Sequence, residues 1–249
     1  MKNPQISIDI ILPSYNCEKY IKQTIKSIIN QSFKKWKLII IDDASNKKTK
    51  KILLKYERNK KIKIIWLRKN KGAGFCRNLA IKKCKSKYIA FIDSDDIWHK
   101  HKLKQQVEFM LKNKKNFTYT FYKTFGLKKK IIKTPKKFTF SSFIRNTSIA
   151  TSTMMIERKI AKNCKFTDTE ICEDYFFKCS ALKKTKSAAA LQKYLTNYRI
   201  RKNSLQSNKL KNLYWIWKIN SKYNYLNIVE NLFSVISISL NSIKKYGLK

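Results

Sequence analysis

Short apolar runs alternate with longer amphipathic segments through the first half of the chain. The runs are rich in Ile, Leu and Phe, as expected of strands buried on both faces of a sheet, and the longer segments carry apolar residues every three or four positions, as helices do. The predicted strands are 6–12, 38–41, 62–67 and 88–92, and the predicted helices are 18–31, 48–57, 75–84 and one that follows residue 96 at once. This alternation predicts a Rossmann-like, doubly wound and mostly parallel α/β sheet with right-handed crossovers.

The pattern becomes less regular after Asn116. Strands are predicted at 117–124, 149–156 and 188–199, a basic loop or hairpin at 126–137, and helices at 138–146 and 173–183. Residues 210–249 are helical in pattern and rich in aromatic side chains; core packing is their default role, with a membrane surface or a partner as alternatives. We therefore expect one domain at 1–207, with halves at 1–115 and 116–207, and a helical C-terminal extension at 208–249.

Three carboxylates follow the predicted strand 88–92 directly, at Asp93, Asp95 and Asp96. Ligands of open α/β sheets bind at the carboxyl ends of strands, and carboxylates this close repel one another unless a cation or donors lie between them. Mg²⁺ and Mn²⁺ take one or two carboxylates and leave positions for substrate phosphates. The stretch therefore predicts a divalent-metal site for a phosphate-bearing substrate. Helix capping is the alternative, and we expect one of the three acids to be a cap.

The chain is strongly basic, with 57 Lys and Arg against 15 Asp and Glu, a formal net charge of +42. Only seven of the basic residues are Arg, and Lys is scattered through every segment. A nucleic-acid reader more often relies on Arg, so a background bias towards Lys explains the charge better and nucleic acid is not the expected partner. The surface should still attract nucleotides and anionic lipid head groups.

The six Cys residues have no C-x-x-C spacing, which argues against a zinc site or a disulfide framework and for a reducing compartment. The N-terminus leads straight into a predicted strand, so we expect no signal peptide. No window reaches the ~20 apolar residues of a spanning helix. The expected location is cytoplasmic, either free or in peripheral contact with the anionic inner face of a membrane.

Five short motifs carry a family resemblance: ILPSYN, IIDDAS, GAGFCRN, FIDSDD and CEDYFFK. Each is weak alone, but together they occur in the order and approximate spacing of the family 2 glycosyltransferases, over about residues 7–207. The chain is thus similar to enzymes with the GT-A fold. The resemblance implies use of a nucleotide-activated sugar, usually with Mg²⁺ or Mn²⁺, and mostly inversion at the anomeric carbon.

The resemblance implies a donor site at the ends of the first two strands. Pro13 and Tyr15 line the exit of the first strand, and the Tyr15 ring offers a flat face for a nucleobase. Asp43 accepts a hydrogen bond from a base N–H, as in uridine, while Asp42 braces the loop. Arg77 faces the diphosphate or the base. Helix-entry packing remains the alternative for Tyr15, and an exposed helical position the alternative for Arg77.

By the same resemblance, Asp93 and Asp95 match the outer residues of a DxD motif. Asp93 contacts the ribose or the metal shell, and Asp95 ligates the metal, which neutralises charge on the departing nucleoside diphosphate. Asp96 caps the following helix or orients this shell. The only two His residues, His99 and His101, fall in the first turns of that predicted helix and are not expected to be ligands, so a third protein ligand is left open.

Two later motifs complete the implied active site. Glu173 and Asp174 resemble the acidic pair at a helix start, and Asp174 is the implied general base that takes the proton from the acceptor hydroxyl. First-turn dipole complementation is the alternative for both. The stretch 198–201 with Ser204 and Ser207 resembles a loop that closes over the diphosphate; a basic surface loop is the alternative.

The leading hypothesis is a metal-dependent, hexosyltransferase-like inverting enzyme. It moves a sugar from a nucleoside diphosphate, with Asp43 favouring UDP, to a hydroxyl of a glycan or lipid-linked glycan in polysaccharide, lipopolysaccharide or cell-surface glycan synthesis. A nucleotidyltransferase is a second hypothesis, although the first strand lacks the Gly-rich, Arg-containing loop that such enzymes carry. A non-catalytic, basic nucleic-acid-binding protein is the third, and it predicts steeply salt-dependent binding.

Overall fold

A computed structural model of the protein describes residues 6–202 and 208–246, with backbone alone at 244–246. The strands are β1 (Ile8–Ser14), β2 (Trp36–Asp42), β3 (Ile62–Trp66), β4 (Tyr88–Phe91), β5 (Ile97–Trp98), β6 (Phe117–Gly126), β7 (Lys130–Ile132), β8 (Lys137–Phe138), β9 (Met155–Glu157) and β10 (Ala188–Ile200). The helices are α1 (Ile21–Ile29), α2 (Lys47–Leu54), α3 (Gly72–Lys83), α4 (Lys102–Lys112), α5 (Phe140–Phe143), α6 (Arg158–Ala161), α7 (Glu173–Thr185), α8 (Lys209–Ile219) and α9 (Ile228–Tyr246). A 3₁₀ turn, Thr151–Thr153, and a π-helical turn, Asn220–Asn224, complete the elements.

One mixed sheet has the strand order β3-β2-β1-β4-β9-β6-β10-β5. The first four strands are parallel, as predicted. Strand β9 runs antiparallel to both of its neighbours and joins this set to β6 and β10, which are parallel to each other. Because Ser14 pairs with Asp42 in the parallel register, the carboxyl ends of β1 and β2 meet at one edge of the sheet.

Alternate strand residues bury two apolar layers, one on each face of the sheet. Ile10 and Leu12 of β1 belong to the layer under α1, α2 and α4, whereas Ile11 belongs to the layer under α3 and α7. The continuous apolar runs of the parallel strands follow from this double burial. Ile219 and Ile238, from α8 and α9, lie in the second layer, so part of the C-terminal segment packs on the core as expected.

The segment after β4 differs from the prediction that a helix follows residue 96 at once. Residues 97–98 form β5, which pairs antiparallel with β10, and α4 begins only at Lys102. The N-cap position of α4 is His101, which makes no side-chain capping bond, so neither His lies inside the helix. The expectation that one of Asp93, Asp95 and Asp96 caps this helix was therefore wrong, because pairing with β10 holds the chain extended beyond them.

Two further segments show how local pattern and tertiary structure agree or differ. The predicted hairpin at 126–137 is confirmed, since β7 pairs antiparallel with β6. The predicted strand 149–156 is wrong in its first part: residues 151–153 form the 3₁₀ turn, and only Met155–Glu157 is a strand. Among the residues described, no helix is both long enough and apolar enough to cross a bilayer.

Candidate active site

Asp42, the last residue of β2, is fully buried and bonded to its own loop. Its carboxylate accepts hydrogen bonds from the Ser45 backbone N–H at 3.0 Å and from the Ser14 hydroxyl at 3.3 Å. The side chain therefore braces the turn between β2 and α2, as predicted from the sequence. The turn leads directly into α2, whose N-cap Asn46 accepts a bond from the backbone N–H of Thr49.

Asp43 fixes the loop that precedes α3. Its two carboxylate oxygens accept from the backbone N–H groups of Lys71 and Gly72, at 2.7 and 2.8 Å. Gly72 has a φ of +85°, a backbone conformation that glycine adopts without steric cost. Asp43 thus shapes the entry of α3, and its role towards a nucleobase remains a prediction.

The side chains expected to meet a nucleobase lie at one strand end. Pro13 belongs to β1, and the Asp43 N–H donates to the Ser14 carbonyl at 2.8 Å, which joins the exits of β1 and β2. Tyr15 follows β1 with 52% of its surface exposed. The ring is therefore open to a ligand from solvent, unlike a residue that only packs at a helix entry.

Arg77 of α3 joins the two other acidic clusters. One guanidinium nitrogen lies 2.6 Å from the Asp93 carboxylate and another lies 2.6 Å from the Glu173 carboxylate. Arg77 is 5% exposed, so the alternative of a solvated helical Arg is excluded. Burial alone would lower the pKa of Arg77, but the two carboxylates outweigh it and raise the pKa above its ordinary value. Its guanidinium is occupied by side chains of the protein; contact with a diphosphate or base remains a prediction.

The close packing of α3 against the loop before α7 depends on Gly74. A Cβ built at this position would lie 2.4 Å from the backbone carbonyl oxygen of Thr167 and 3.2 Å from the Cβ of Glu173. Because Gly74 has no side chain, α3 can approach α7 closely enough for Arg77 to reach Glu173. Helix α3 therefore contacts all three acidic clusters that the sequence singled out, through Asp43, Asp93 and Glu173.

Asp95 is buried beside a cation supplied by the chain after β10. The Arg201 guanidinium lies 2.7 Å from the Asp95 carboxylate and is 46% exposed at its side chain. Burial raises the pKa of Asp95 above its ordinary value, and Arg201 only partly opposes that rise. The carboxylates of Asp93 and Asp95 repel each other, and a cation in this position offsets that repulsion.

Asp96 is more enclosed than Asp95. Burial, followed by the charges of Asp93 and Asp95, raises the pKa of Asp96 well above its ordinary value. One of its oxygens accepts from the Arg199 backbone N–H at 2.8 Å, and the other, Oδ2, has no hydrogen-bond partner among residues 6–202 and 208–246. Asp96 thus ties the loop 93–96 to β10, and its role in orienting a metal shell remains a prediction.

Arg199 belongs to β10, as predicted by the strand at 188–199, so only the part of 198–201 beyond Ile200 can belong to the expected loop. Its side chain donates to the Asp95 backbone carbonyl at 2.8 Å and to Gln23, and it lies over the Tyr20 ring with its guanidinium carbon 4.5 Å from the ring centre. These contacts fix Arg199 in place, whereas Arg201 lies beyond the strand. Ser204 and Ser207, which complete the predicted loop, lie outside the described residues.

Asp174 lies in the first turn of α7, held by two neighbours. The Thr151 hydroxyl and the Lys178 ammonium both donate to its Oδ2. Burial would raise the pKa of Asp174, but the Lys178 charge and the two hydrogen bonds lower it below its ordinary value. Glu173 shifts the other way, because burial raises its pKa more than Arg77 lowers it. The carboxylate of Asp174 is therefore the more readily ionised of the pair.

Sequence reasoning missed the residues that hold Asp174 and Asp93. Lys178 stands four residues after Asp174 on one helix, a spacing at which oppositely charged side chains meet, so this signal was available. Thr151 and Ser152, whose hydroxyl accepts from the Asp93 N–H at 2.9 Å, gave no such signal. Both come from a turn that the sequence pattern predicted as strand.

The acidic cluster fits a hard divalent cation. Within the described part of the chain, no three or more His, Cys, Asp and Glu side chains form a group able to hold a metal by themselves. Mg²⁺ and Mn²⁺ need only one or two carboxylates when substrate phosphates supply other ligands. Asp93 and Asp95 offer such oxygens, and beside them Asp96 Oδ2 is buried without a hydrogen-bond partner within the described part of the chain.

A family model and individual sequences were compared with this chain, and both comparisons find glycosyltransferases. Residues 9–187 match the family model described as "Glycosyl transferase family 2". TuaG of Bacillus subtilis (strain 168), whose name assigns it provisionally as a teichuronic acid biosynthesis glycosyltransferase, is 32% identical over 250 residues, covering 98% of this chain and 99% of TuaG. WfgD of Escherichia coli, named UDP-Glc:α-D-GlcNAc-diphosphoundecaprenol β-1,3-glucosyltransferase, is 33% identical over 242 residues, covering 95% and 92%.

Comparison with solved structures confirms the predicted GT-A architecture. TarS 1–349 of S. aureus in complex with UDP-GlcNAc has a TM-score of 0.75 and 21% identity, covering 96% of this chain and 73% of TarS 1–349. The mannosyltransferase PcManGT from Pyrobaculum calidifontis, in complex with GDP-Man and Mn²⁺, has a TM-score of 0.70 and 12% identity, covering 100% and 80%. At these identities the likeness concerns the fold alone.

Proposed function

Because the chain belongs to glycosyl transferase family 2, we propose that it transfers a sugar from a nucleoside diphosphate, with UDP favoured, to a hydroxyl of a lipid-linked glycan, inverting the anomeric carbon. One observation carries this proposal: Arg77 binds Asp93 of the DxD motif and Glu173 of the late acidic pair at 2.6 Å each. The motifs that the proposal assigns to the donor and to the acceptor are thus linked through one side chain.

The donor binds across the ends of β1, β2 and β4. In this proposal the Tyr15 ring stacks on the nucleobase, Pro13 lines its pocket and Asp43 accepts from a base N–H while keeping its bonds to the backbone. Each carboxylate oxygen accepts more than one hydrogen bond, so both roles are compatible. Arg77 acts indirectly, by holding the Asp93 carboxylate towards the ribose and the metal.

Mn²⁺ or Mg²⁺ would be held by Asp95 and Asp93, and when bound it supplies charge neutralisation to the departing diphosphate. Arg201 occupies the cationic position next to Asp95. Since Arg201 is half-exposed and lies beyond β10, it can turn from Asp95 towards the phosphates when the donor arrives. Guanidinium groups are well suited to bind phosphate oxygens.

Asp174 is the proposed general base. Its carboxylate takes the proton of the acceptor hydroxyl as that oxygen attacks the sugar on the face opposite the diphosphate. Thr151 and Lys178 keep the carboxylate ionised and fix its orientation. No acid is needed on the other side, because a diphosphate leaves without a proton.

The acceptor class is inferred from the relatives. WfgD is named for transfer to GlcNAc-diphosphoundecaprenol from UDP-Glc, and the name of TuaG refers to teichuronic acid biosynthesis. A β-linked product from an α-linked nucleotide sugar corresponds to inversion. We extend this to a role in cell-surface glycan synthesis, with the enzyme working in the cytoplasm at the inner face of the membrane that holds its acceptor.

The test is a donor screen with a lipid-linked acceptor. The protein is incubated with UDP-Glc, UDP-GlcNAc, UDP-Gal or GDP-Man, with Mn²⁺, Mg²⁺ or chelator, and with a short-chain GlcNAc-diphospholipid. Mass spectrometry and NMR then report the product and its anomeric configuration. We expect one UDP-sugar to give a β-linked product that requires the metal. Absence of transfer and of thermal stabilisation with every donor would overturn the proposal.

A further inference from the structure

Helix α9 exposes its apolar side chains. Val229, Phe233 and Leu240 are 75%, 53% and 56% exposed, and they recur at helical spacing on one side of the helix. The whole stripe covers more than three turns of the helix and consists of Val229, Leu232, Phe233, Ile236, Leu240 and Ile243. A scatter of single exposed apolar residues needs no explanation, but a continuous stripe does.

The opposite side of α9 is buried and carries both apolar and polar side chains: Ile238 lies in the second apolar layer, with Val235 packed against it. Asn231 and Ser234 are 1% and 0% exposed. The Asn220 amide donates to both of them at 3.1 Å, and the Ser234 hydroxyl donates to the Ile144 carbonyl at 2.5 Å. Two turns further on, the Asn241 amide donates to the Arg145 carbonyl at 3.0 Å. Hydrogen bonds, together with the packing of Val235 and Ile238 on the core, thus attach α9 to the protein.

This arrangement differs from that of an ordinary surface helix in water, because most of the apolar side chains of α9 face outward. An ordinary surface helix turns its apolar stripe to the core and its polar face to solvent, because that removes apolar area from water. Here the inward face holds two apolar side chains beside its hydrogen-bonded polar groups, while the six-residue apolar stripe is left in contact with solvent. The stripe is therefore suited to an apolar phase outside the protein. Helix α9 is not long and apolar enough to cross a bilayer, so it would lie along the surface of such a phase and not through it.

The net charge of the protein favours an anionic membrane over a second copy of the chain as the partner of this stripe. Two copies of a chain with a formal net charge of +42 repel each other, which disfavours packing α9 against a second molecule. An anionic bilayer attracts the same charge. At the stripe itself, the Arg145 guanidinium lies over the Phe233 ring, 4.7 Å from its centre. Arg145 thus puts a positive charge beside the exposed apolar stripe, where an anionic head group would meet it.

We propose that α9 lies in the surface of an anionic membrane, with its apolar stripe in the lipid and the basic protein surface on the head groups. This deepens the proposed function and rests on it only for the identity of the acceptor. The Tyr175 hydroxyl, one residue after the proposed base, donates to Asn220 at 2.9 Å. The polar network that holds α9 thus also holds α7, so the membrane contact is fixed to the helix that carries Asp174.

Vesicle flotation tests this surface without donor or acceptor. The full chain is mixed with vesicles of phosphatidylcholine, alone or with about one third phosphatidylglycerol, at about 0.1 M and about 0.5 M salt. The test variant is Leu232→Ser/Phe233→Ser/Ile236→Ser. The matched control is Leu54→Ser/Leu111→Ser, which removes exposed Leu side chains from α2 and α4, on the other face of the sheet. Circular dichroism checks that both variants fold.

We expect the unchanged protein and the control to bind anionic vesicles, and the test variant to bind at least about tenfold more weakly. Equal binding by the test variant and the control would overturn the inference, as would no binding by the unchanged protein. A dimer in light scattering that the test variant abolishes would assign the stripe to a second copy instead. Transfer to a water-soluble acceptor should be equal in all three proteins, so failure of the membrane contact is distinguishable from failure of the proposed function.

Discussion

Two groups of carboxylates in this enzyme are satisfied by different kinds of donor. Asp42 and Asp43, at the end of β2, accept mainly from backbone N–H groups. Asp93, Asp95 and Asp174, around α3 and α7, are bonded to the side-chain cations of Arg77, Arg201 and Lys178. A backbone donor is fixed by the fold, whereas a side-chain cation sets the charge beside its carboxylate, and the half-exposed Arg201 can also turn away when a ligand brings its own charge. The first group therefore shapes loops, and the second balances charge at the centre of the site.

Replacement of Asp174 by Asn should have the largest effect, because it removes the proposed base while leaving a side chain of the same shape. We expect transfer to fall by roughly 10²–10⁴-fold, the usual contribution of a general base. Product formation in single-turnover assays measures this, and the thermal midpoint checks that the protein stays folded. Asp168→Asn, at an exposed acid in the loop before α7, is the matched control. Near-normal turnover in Asp174→Asn would contradict the assigned role.

Replacement of Arg77 by Met should have the largest effect on stability. The change leaves the carboxylates of Asp93 and Glu173 partly buried without their cation, and breaking a buried ion pair costs about 3–5 kcal/mol. Urea unfolding measures the free energy of unfolding. Arg58→Met, at an exposed Arg with the same change in charge, should cost much less. If the two variants were equally stable, Arg77 would not be what holds the two clusters together.

Replacement of Lys178 by Met should move the acid limb of the pH profile of kcat/KM to higher pH. Lys178 keeps the pKa of Asp174 low, so without it burial raises that pKa and the base becomes protonated at a higher pH. The low pKa also means that the Asp174 contribution to stability is present above its unfolded-state pKa and is lost as the pH falls through the folded-state value. Rate profiles of the variant and the unchanged enzyme measure the shift. An unmoved limb would mean that Lys178 does not tune the base.

Replacement of Asp42 by Asn should have the smallest effect. The Asn amide oxygen still accepts from the Ser45 N–H, and the Ser14 hydroxyl can accept from the new amide nitrogen, so the cost is about 1 kcal/mol. Because Asp42 belongs to the loop-shaping group, kcat should be unchanged. Chemical unfolding and steady-state kinetics measure the two quantities. A large fall in kcat would move Asp42 into the group that takes part in the reaction.

The same comparison explains what the sequence could predict. Asp42, Asp43 and Asp93 come directly after apolar runs. The local sequence pattern therefore predicted both the parallel strands and the polar residues at their carboxyl ends. The partners of the Asp95 and Asp174 carboxylates were harder to predict from the sequence. Arg201 reaches Asp95 because β10 pairs with β5, and Thr151 reaches Asp174 because a 3₁₀ turn replaces the expected strand. Both contacts join residues far apart in the chain, and neither has a local signature.

The missing side chain at Gly74 limits how enzymes of this kind can be recombined. The backbone of the loop before α7 occupies the space where any larger residue would stand. A chimera that joins residues 1–115 to the second half of another enzyme would inherit one side of this contact and lose the other. Exchange of acceptor preference between such enzymes should therefore succeed only when the loop around Thr167 is transferred together with a glycine opposite it.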